Sequence, residues 1–309
     1  MKYALIITTL LASAAIAAAP QPQFKSGVEV VYLDVTVQAP DGSIVRGLTK
    51  DDFLIYDEDV AQDVAVFSAE PAPISVGILI DTSGSMTGER MASAIRAADA
   101  LGRSLQPNDL WSISTFESVR RTMIGWRPYN PGVVNSLRAM PASGSTELFK
   151  SVADMVPYMK ETPHRKRAML LMTDGVDNSI IAASHDGGGD PFEAPGPRAA
   201  SAKAEEALRA GEVLLYALGI NVSGRAGDVH IPSLQRLVEP TGGTVMIAST
   251  IREVESEAQR VAEELRQQYT IGFYPQHDGD RQYHRVRVTT RHPDYRVRTR
   301  AGYLTANSK

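Results

Sequence analysis

The chain of 309 residues carries 32 Lys+Arg against 36 Asp+Glu, a formal net charge of −4, and no cysteine. Disulfide scaffolds, thiolate metal sites and cysteine nucleophiles are excluded, and the near-neutral balance argues against bulk electrostatic binding of nucleic acid. A hydrophobic content of 43% supplies sizeable cores, while 24 Gly and 18 Pro without period exclude collagen-like and low-complexity chains.

Residues 1–19 read as an address. Met1-Lys2 gives a positive start, residues 3–19 form an apolar run, and Ala15-Ile16-Ala17 offers small residues where a signal peptidase reads. The run is short for a membrane span of about 20 apolar residues. Export with cleavage is therefore expected rather than anchoring, giving a secreted or periplasmic protein with no transmembrane segment after cleavage.

Residues 24–70 alternate strand and turn. Val28, Val30 and Tyr32 interleave with Glu29, Val31 and Leu33, and Pro40-Asp41-Gly42 is a turn in which Pro presets φ and Gly accepts a positive φ. Short strands are predicted at 53–56 and 64–67, and Pro71-Ala72-Pro73 reads as a linker.

The pattern changes over residues 74–266. Residues 74–80 form a nearly continuous apolar run, as in a strand buried on both faces of a parallel sheet. Met91, Ile95, Ala98, Leu101 and Leu105 mark one helical face. Strands follow at 110–116, 119–124 (a hairpin edge), 168–172, 213–220 and 244–248. Helices are predicted near 148–159, with Pro157 kinking the last turn, and at 199–210, 232–238 and 251–266. Residues 185–198, with three consecutive Gly and three Pro, read as a surface loop. Alternating strands and helices predict an α/β, doubly wound, mostly parallel sheet.

Residues 267–305 return to β, with strands at 269–274, 283–290 and 295–299. Residues 281–300 hold seven Arg and one Asp. Arg285, Arg287, Arg296 and Arg298 alternate with valines. Two readings stand: the solvated face of a sheet, or a docking surface for an acidic partner or anionic cell-wall polymer. The two β segments are each small, and are expected to combine into one β-sandwich with the α/β unit inserted between its halves.

The chemistry concentrates at strand ends. Asp81 ends the first apolar strand, where open α/β sheets place their ligands, and Ser83 and Ser85 follow at alternate loop positions. Hydroxyls are neutral hard-oxygen ligands, suited to Mg²⁺ or Ca²⁺ and poor for Zn²⁺. Thr146 supplies another hydroxyl at a helix start, and Asp174 a second carboxylate after the strand at 168–172. Each of these alone is an ordinary cap or turn residue. An aspartyl phosphotransferase loop would need an acid where Ser83 stands. The G-x-S-x-G elbow, the phosphate-binding loop and the dinucleotide fingerprint are absent. No histidine among 164, 185, 230, 277, 284 and 292 falls in a metalloprotease spacing, and Trp111 and Trp126 read as packing residues.

The ordered set Asp81-x-Ser83-x-Ser85, Thr146 and Asp174 in a Thr-Asp-Gly turn resembles the complete metal-ion-dependent adhesion site of the von Willebrand factor A domain, whose sheet is Rossmann-like. The resemblance implies Mg²⁺ (Ca²⁺ or Mn²⁺ as alternatives) touched by Ser83, Ser85 and Thr146. It implies that Asp81 and Asp174 act mostly through water, and that a protein partner's Asp or Glu carboxylate fills the last position. The flanks add Asp41-Gly42-x-x-Val45-x-Gly47-Leu48-Thr49-x-x-Asp52-Phe53, Tyr56-Asp57-Glu58-Asp59, Gln62, Tyr269…Gly272-Phe273-Tyr274-Pro275 and Arg300-Ala301-Gly302-Tyr303. These resemble bacterial secreted VWFA-related domain proteins over nearly the whole chain past the leader. The expected role is binding, not catalysis. The alternatives are an envelope assembly factor using the basic β tail, or a metal-dependent hydrolase, for which no general base presents itself. The helix at 251–266 leads straight into the last β segment, which offers a route for coupling between the two.

Overall fold

The computed structural model describes residues 30–135, 137, 142–185, 190–222, 229–276 and 282–305. Residues 1–19, read above as a leader, lie outside them. Eight strands form a two-sheet sandwich. Its N-terminal half supplies β1 (Val31–Gln38), β2 (Phe53–Asp57), β3 (Val60–Gln62) and β4 (Val66–Ser68). Between the halves runs the α/β segment: β5 (Ile74–Asp81), α1 (Glu89–Ser104), β6 (Leu110–Phe116), β7 (Arg120–Arg127), α2 (Pro131–Val134), α3 (Leu148–Met159), β8 (Lys166–Thr173), α4 (Asn178–His185), α5 (Pro195–Gly211), β9 (Leu214–Ile220), α6 (Ile231–Val238), β10 (Thr244–Ala248) and α7 (Ile251–Arg266). The chain then returns to the sandwich with β11 (Tyr269–Phe273), β12 (Tyr283–Thr290), β13 (Arg296–Arg298) and β14 (Gly302–Leu304).

The central sheet runs β10-β9-β8-β5-β6-β7, parallel except for the antiparallel edge strand β7. Every residue of β5 is buried, as its unbroken apolar run requires of a strand covered on both faces. Its Ile74, Val76, Ile78 and Ile80 pack with Met91, Ile95 and Leu101 of α1 and Val254, Ala258 and Val261 of α7. Leu79 points the opposite way, into a second core with Leu148 and Phe149 of α3, Leu208 of α5 and Leu234 of α6. This alternation is the two-residue period of a strand read out by helices on both sides.

In the sandwich, β1 lies between β11 and β13, and β12 lies between β2 and β14, all antiparallel. Both sheets thus join strands more than 200 residues apart, which makes the α/β segment an insertion. The inward face of β1 is Val31, Leu33, Val35 and Val37, packed with Ile55, Ile271, Phe273, Val286 and Tyr303; Tyr32 faces out. Buried Asp57 accepts a hydrogen bond from the Tyr303 hydroxyl at 2.8 Å.

The structure departs from the sequence reading in one boundary and four short elements. The segment expected as a loop to residue 198 enters α5 at Pro195, because proline is tolerated where the first helical N–H has no partner anyway. The short helices α2 and α4 and the strands β3 and β14 were not foreseen; each is too brief to show a period. Pro157 lies in the last turn of α3, where the sequence reading put it.

The two units meet through polar contacts. Glu264 of α7 is buried and its Oε1 accepts from Tyr216 of β9 (2.6 Å), Thr36 of β1 (3.3 Å) and Arg298 of β13 (2.5 Å). Arg165 makes a two-pronged ion pair with Asp34 (2.7 and 3.2 Å). At the entry to the insertion, Asp109 accepts from the Ile74 N–H (3.0 Å), and its other oxygen accepts from Arg266 at the exit (2.7 Å) and from the Gln106 N–H.

Candidate functional site

The carboxyl ends of β5 and β8, adjacent parallel strands, carry the two acids. Asp81 is the last residue of β5 and is fully buried; Asp174 follows β8 and is 2% exposed. Asp81 Oδ1 accepts from the Ser83 N–H at 2.9 Å, and Oδ2 accepts from the Thr173 hydroxyl at 2.6 Å. Burial pushes the Asp81 carboxyl up to about 6, with the neighbouring Asp174 charge adding and the bonds from Thr173 and Ser83 opposing. Asp174 Oδ1 accepts from the Val176 N–H at 3.3 Å, and Oδ2 lies 3.4 Å from Arg90.

The turn after β8 depends on Gly175. Its φ is +79°, and a Cβ there would stand 2.8 Å from the His230 carbonyl oxygen, so neither the conformation nor the space admits a side chain. The His230 N–H in turn donates to the Asp174 carbonyl at 2.8 Å. Its ring Nδ1 is 2.7 Å from the Ser233 hydroxyl, and burial holds the imidazole below the ordinary histidine value.

The hydroxyls come from two loops. Ser83 is buried and Ser85 exposed, with their Oγ atoms 3.1 Å apart. The loop before α3 is laid against them by the Ser143 N–H on the Thr82 carbonyl (2.8 Å) and the Gly84 N–H on the Gly144 carbonyl (3.3 Å). Thr146 is buried in that loop. Its N–H donates to Asn178 Oδ1 (3.2 Å) and its carbonyl accepts from the Asn178 N–H (2.9 Å). Hydrogen bonds therefore join Asp81, Ser83 and Ser85 into one loop and bring Arg90 between Ser85 and Asp174. Thr146 reaches the same edge through backbone contacts alone among the described residues.

This donor set fits a hard divalent cation. Ligands at ~2.1 Å in octahedral geometry lie ~3.0 Å apart along an edge, close to the spacing of the two serine hydroxyls. No described group of three or more His, Cys, Asp or Glu side chains is arranged to hold a metal; the donors brought together here are two carboxylates and two serine hydroxyls, with Thr146 buried in the adjoining loop. Such a set would suit Mg²⁺, Mn²⁺ or Ca²⁺ and not Zn²⁺.

Residues 76–176, which span the β5 and β8 loops, match the family described as the von Willebrand factor type A domain. The central unit is a von Willebrand factor type A domain. At the level of fold, the chain is similar to a von Willebrand factor type A protein from Catenulispora acidiphila, at 13% identity and a TM-score of 0.52, over 92% of this chain and 75% of that one. Also similar is the vWF domain of the type V pili tip protein Mfa5 from Porphyromonas gingivalis, at 12% identity and a TM-score of 0.48, over 64% of this chain and 97% of that one. No functionally curated protein matches the chain in sequence.

Sequence reasoning missed four supports of the von Willebrand factor A domain's strand-end cluster. Thr173, whose hydroxyl anchors Asp81, is the last residue of β8 and could have been found by asking which strand residue faces the same edge. Asn178 and Asp177 hold the Thr146 loop and the start of α3, the latter through the Phe149 N–H at 3.2 Å. Arg90 carried no signal, because its partner Asp174 is 84 positions away.

The arginines expected to share a surface do not. Arg285 and Arg287 lie on β12, paired with Glu58 (3.4 Å) and Asp59 (3.3 Å), and the Arg287 guanidinium sits 4.0 Å from the centre of the Tyr56 ring. Arg296 and Arg298 lie on β13 in the other sheet, and Arg298 is drawn to Glu264. Their two-residue spacing is real, but the chain changes sheets between the two pairs.

Proposed function

We propose that this is an exported binding protein whose von Willebrand factor A domain takes up a divalent cation, Mg²⁺ in the first instance, and with it engages an acidic side chain of a protein partner. Ser83, Ser85 and Thr146 would hold the ion, with Asp81 and Asp174 behind them. The observation that carries this reading is the pair of hydroxyls 3.1 Å apart beside two buried carboxylates, at the ends of neighbouring parallel strands. A cation bound there would supply an electrophilic seat for one anionic oxygen. The chain's own contribution is placement: Thr173 and the Ser83 N–H fix Asp81, Gly175 fixes the Asp174 turn, and exposed Ser85 leaves the site approachable.

Export rests on the composition of residues 1–19, and among the described residues no helix is long and apolar enough to cross a membrane. Binding is favoured over hydrolysis because the nearby imidazole, His230, is engaged with Ser233. The assembly-factor reading loses its basis in a single basic face, since Arg285, Arg287 and Arg298 are each paired within the fold.

The test is a pull-down from envelope extract with and without Mg²⁺, beside isothermal titration of Mg²⁺ and Mn²⁺. Asp174→Ala is expected to weaken ion uptake on the order of 10- to 100-fold, as loss of a positioning group behind the ligands does, and to abolish magnesium-dependent capture. Equal uptake by wild type and variant, or no uptake by either, overturns the reading.

A further inference from the structure

The helix α7 sets Glu257, Arg260, Val261 and Glu264 on one stripe, and that stripe lines a cavity of about 370 Å³ between the insertion and the sandwich. A second wall is β13: Arg296 and Arg298 share one of its faces and line the same cavity, while Val297 between them packs against the sandwich core. Thr244 and Met246 of β10, an edge strand of the central sheet, supply a third wall. The volume falls in the range of cavities that take small organic ligands. Its charges divide into spent and unspent. Glu264 and Arg298 hold each other at 2.5 Å, and Tyr216 and Thr36 donate to the same carboxylate oxygen. Glu257 is not satisfied in this way. Its Oε2 is shut off from solvent and accepts no hydrogen bond among the described residues; Arg260 Nη1 stands 3.6 Å off, beyond hydrogen-bond reach. Arg296 is exposed and makes no ion pair or side-chain hydrogen bond among the described residues.

We propose that this cavity is a binding site for a small hydroxylated carboxylate, of the size and chemistry of a sugar acid. The carboxylate is taken by Arg296 and Arg260, and a hydroxyl of the ligand donates to Glu257 Oε2. A guanidinium offers a carboxylate two parallel donors, and a buried acceptor left without a donor is costly, so each unspent group gains from this ligand. Charge selects the class. Arg260 and Arg296 against Glu257 leave one positive charge, which a monoanion cancels. A zwitterionic amino acid brings no net charge, and a neutral sugar leaves Arg296 unmatched. Val261 and Met246 present an apolar surface to the C–H groups of such a ligand. Because its walls come from both units, a ligand seated there fastens the sandwich to the insertion beside the contact that Glu264 already makes. The cavity shares no residue with the strand-end cluster, so this assignment is independent of the metal-binding reading.

Isothermal titration of glucuronate into the full chain, with glucose and acetate as controls and thermal unfolding beside it, tests the assignment. Glucuronate is expected to bind and, at saturation, to raise the unfolding midpoint by several degrees, with glucose and acetate each roughly tenfold weaker or more. Arg296→Gln should weaken glucuronate roughly tenfold, and Arg296→Lys, which keeps the charge and loses the paired donors, about threefold. Arg296 is exposed and unpaired among the described residues, so neither change should move the midpoint of the ligand-free protein. Thr244→Phe, which fills the cavity from β10, should abolish binding, its ligand-free midpoint reporting whether the fold is kept; if it is not, Arg296→Gln decides. No uptake of glucuronate by wild type, which would leave water as the cavity's content, overturns the assignment. So does glucose or acetate binding as tightly as glucuronate, or wild-type affinity in Arg296→Gln or in a folded Thr244→Phe.

Discussion

Two buried carboxylates at opposite ends of the insertion have met different fates. Glu264, where α7 passes the sandwich, has its Oε1 saturated by a phenol, a threonine hydroxyl and a guanidinium, and is 2% exposed. Asp81, at the carboxyl end of β5, is as deeply buried, yet its oxygens are met by Ser83 and the Thr173 hydroxyl and by no cation among the described residues, and exposed Ser85 lies two residues beyond Ser83. The first acid is spent on holding two units together. The second is left under-compensated at a place that solvent can reach, which is what a site for an external charge requires.

The strongest way to break this contrast is Glu264→Ala. It leaves Arg298, whose side chain is only 20% exposed, without its anion, and is expected to destabilise the protein by about 3–5 kcal/mol in urea unfolding. A loss below about 1 kcal/mol would mean that the junction does not depend on this carboxylate. Metal uptake should be unchanged in the surviving folded fraction.

A smaller effect should come from Asp81 and pH. Its folded value of about 6 lies above the ordinary carboxylate value, so the folded state binds the proton more tightly than the unfolded chain. In the metal-free protein the resulting stability is fully present below pH ~4 and is lost as pH rises through about 6, a swing of about 2–3 kcal/mol. Urea midpoints measured with chelator from pH 4 to 7 should show this slope against the background of other groups, and Asp81→Asn should flatten it. An unchanged slope in the variant would remove Asp81 as the buried titrating acid. The least effect is expected from Arg285→Ala and Arg287→Ala. Their ion pairs are solvent-exposed, so each should shift stability by less than about 1 kcal/mol and leave magnesium-dependent capture intact.

The same contrast explains what was legible in the sequence. The insertion could be read because β5 advertises two-sided burial in eight residues and α1 and α7 repeat their apolar faces over four turns. Asp81, Ser83 and Ser85 were legible for a local reason: a loop of seven residues between a strand and a helix leaves little freedom in where their oxygens go. Thr146 and Asp174 followed from the order of strand ends. Arg90, Asn178 and Thr173 were not legible as supports, because each acts across a loop contact that no periodicity encodes. The arginines are a different case. Alternation on β12 and β13 showed which residues leave the core, and said nothing of the acids awaiting them in the turn between β2 and β3 and on α7, which are brought near by pairings more than 200 residues apart for β12 and by a helix in another unit for Arg298.

Asp109 has a consequence for how such a chain came to be assembled. One carboxylate ties the Ile74 amide to the Arg266 side chain, so the two strands of polypeptide crossing out of the sandwich are cinched at their roots. A segment whose ends are already drawn together asks nothing of its host except a gap of one loop's width. The sandwich can therefore close its sheets as though the intervening 190-odd residues were a hairpin turn, and the same cassette could be lifted whole into another scaffold, or have its ends joined, without disturbing the edge where its acids wait.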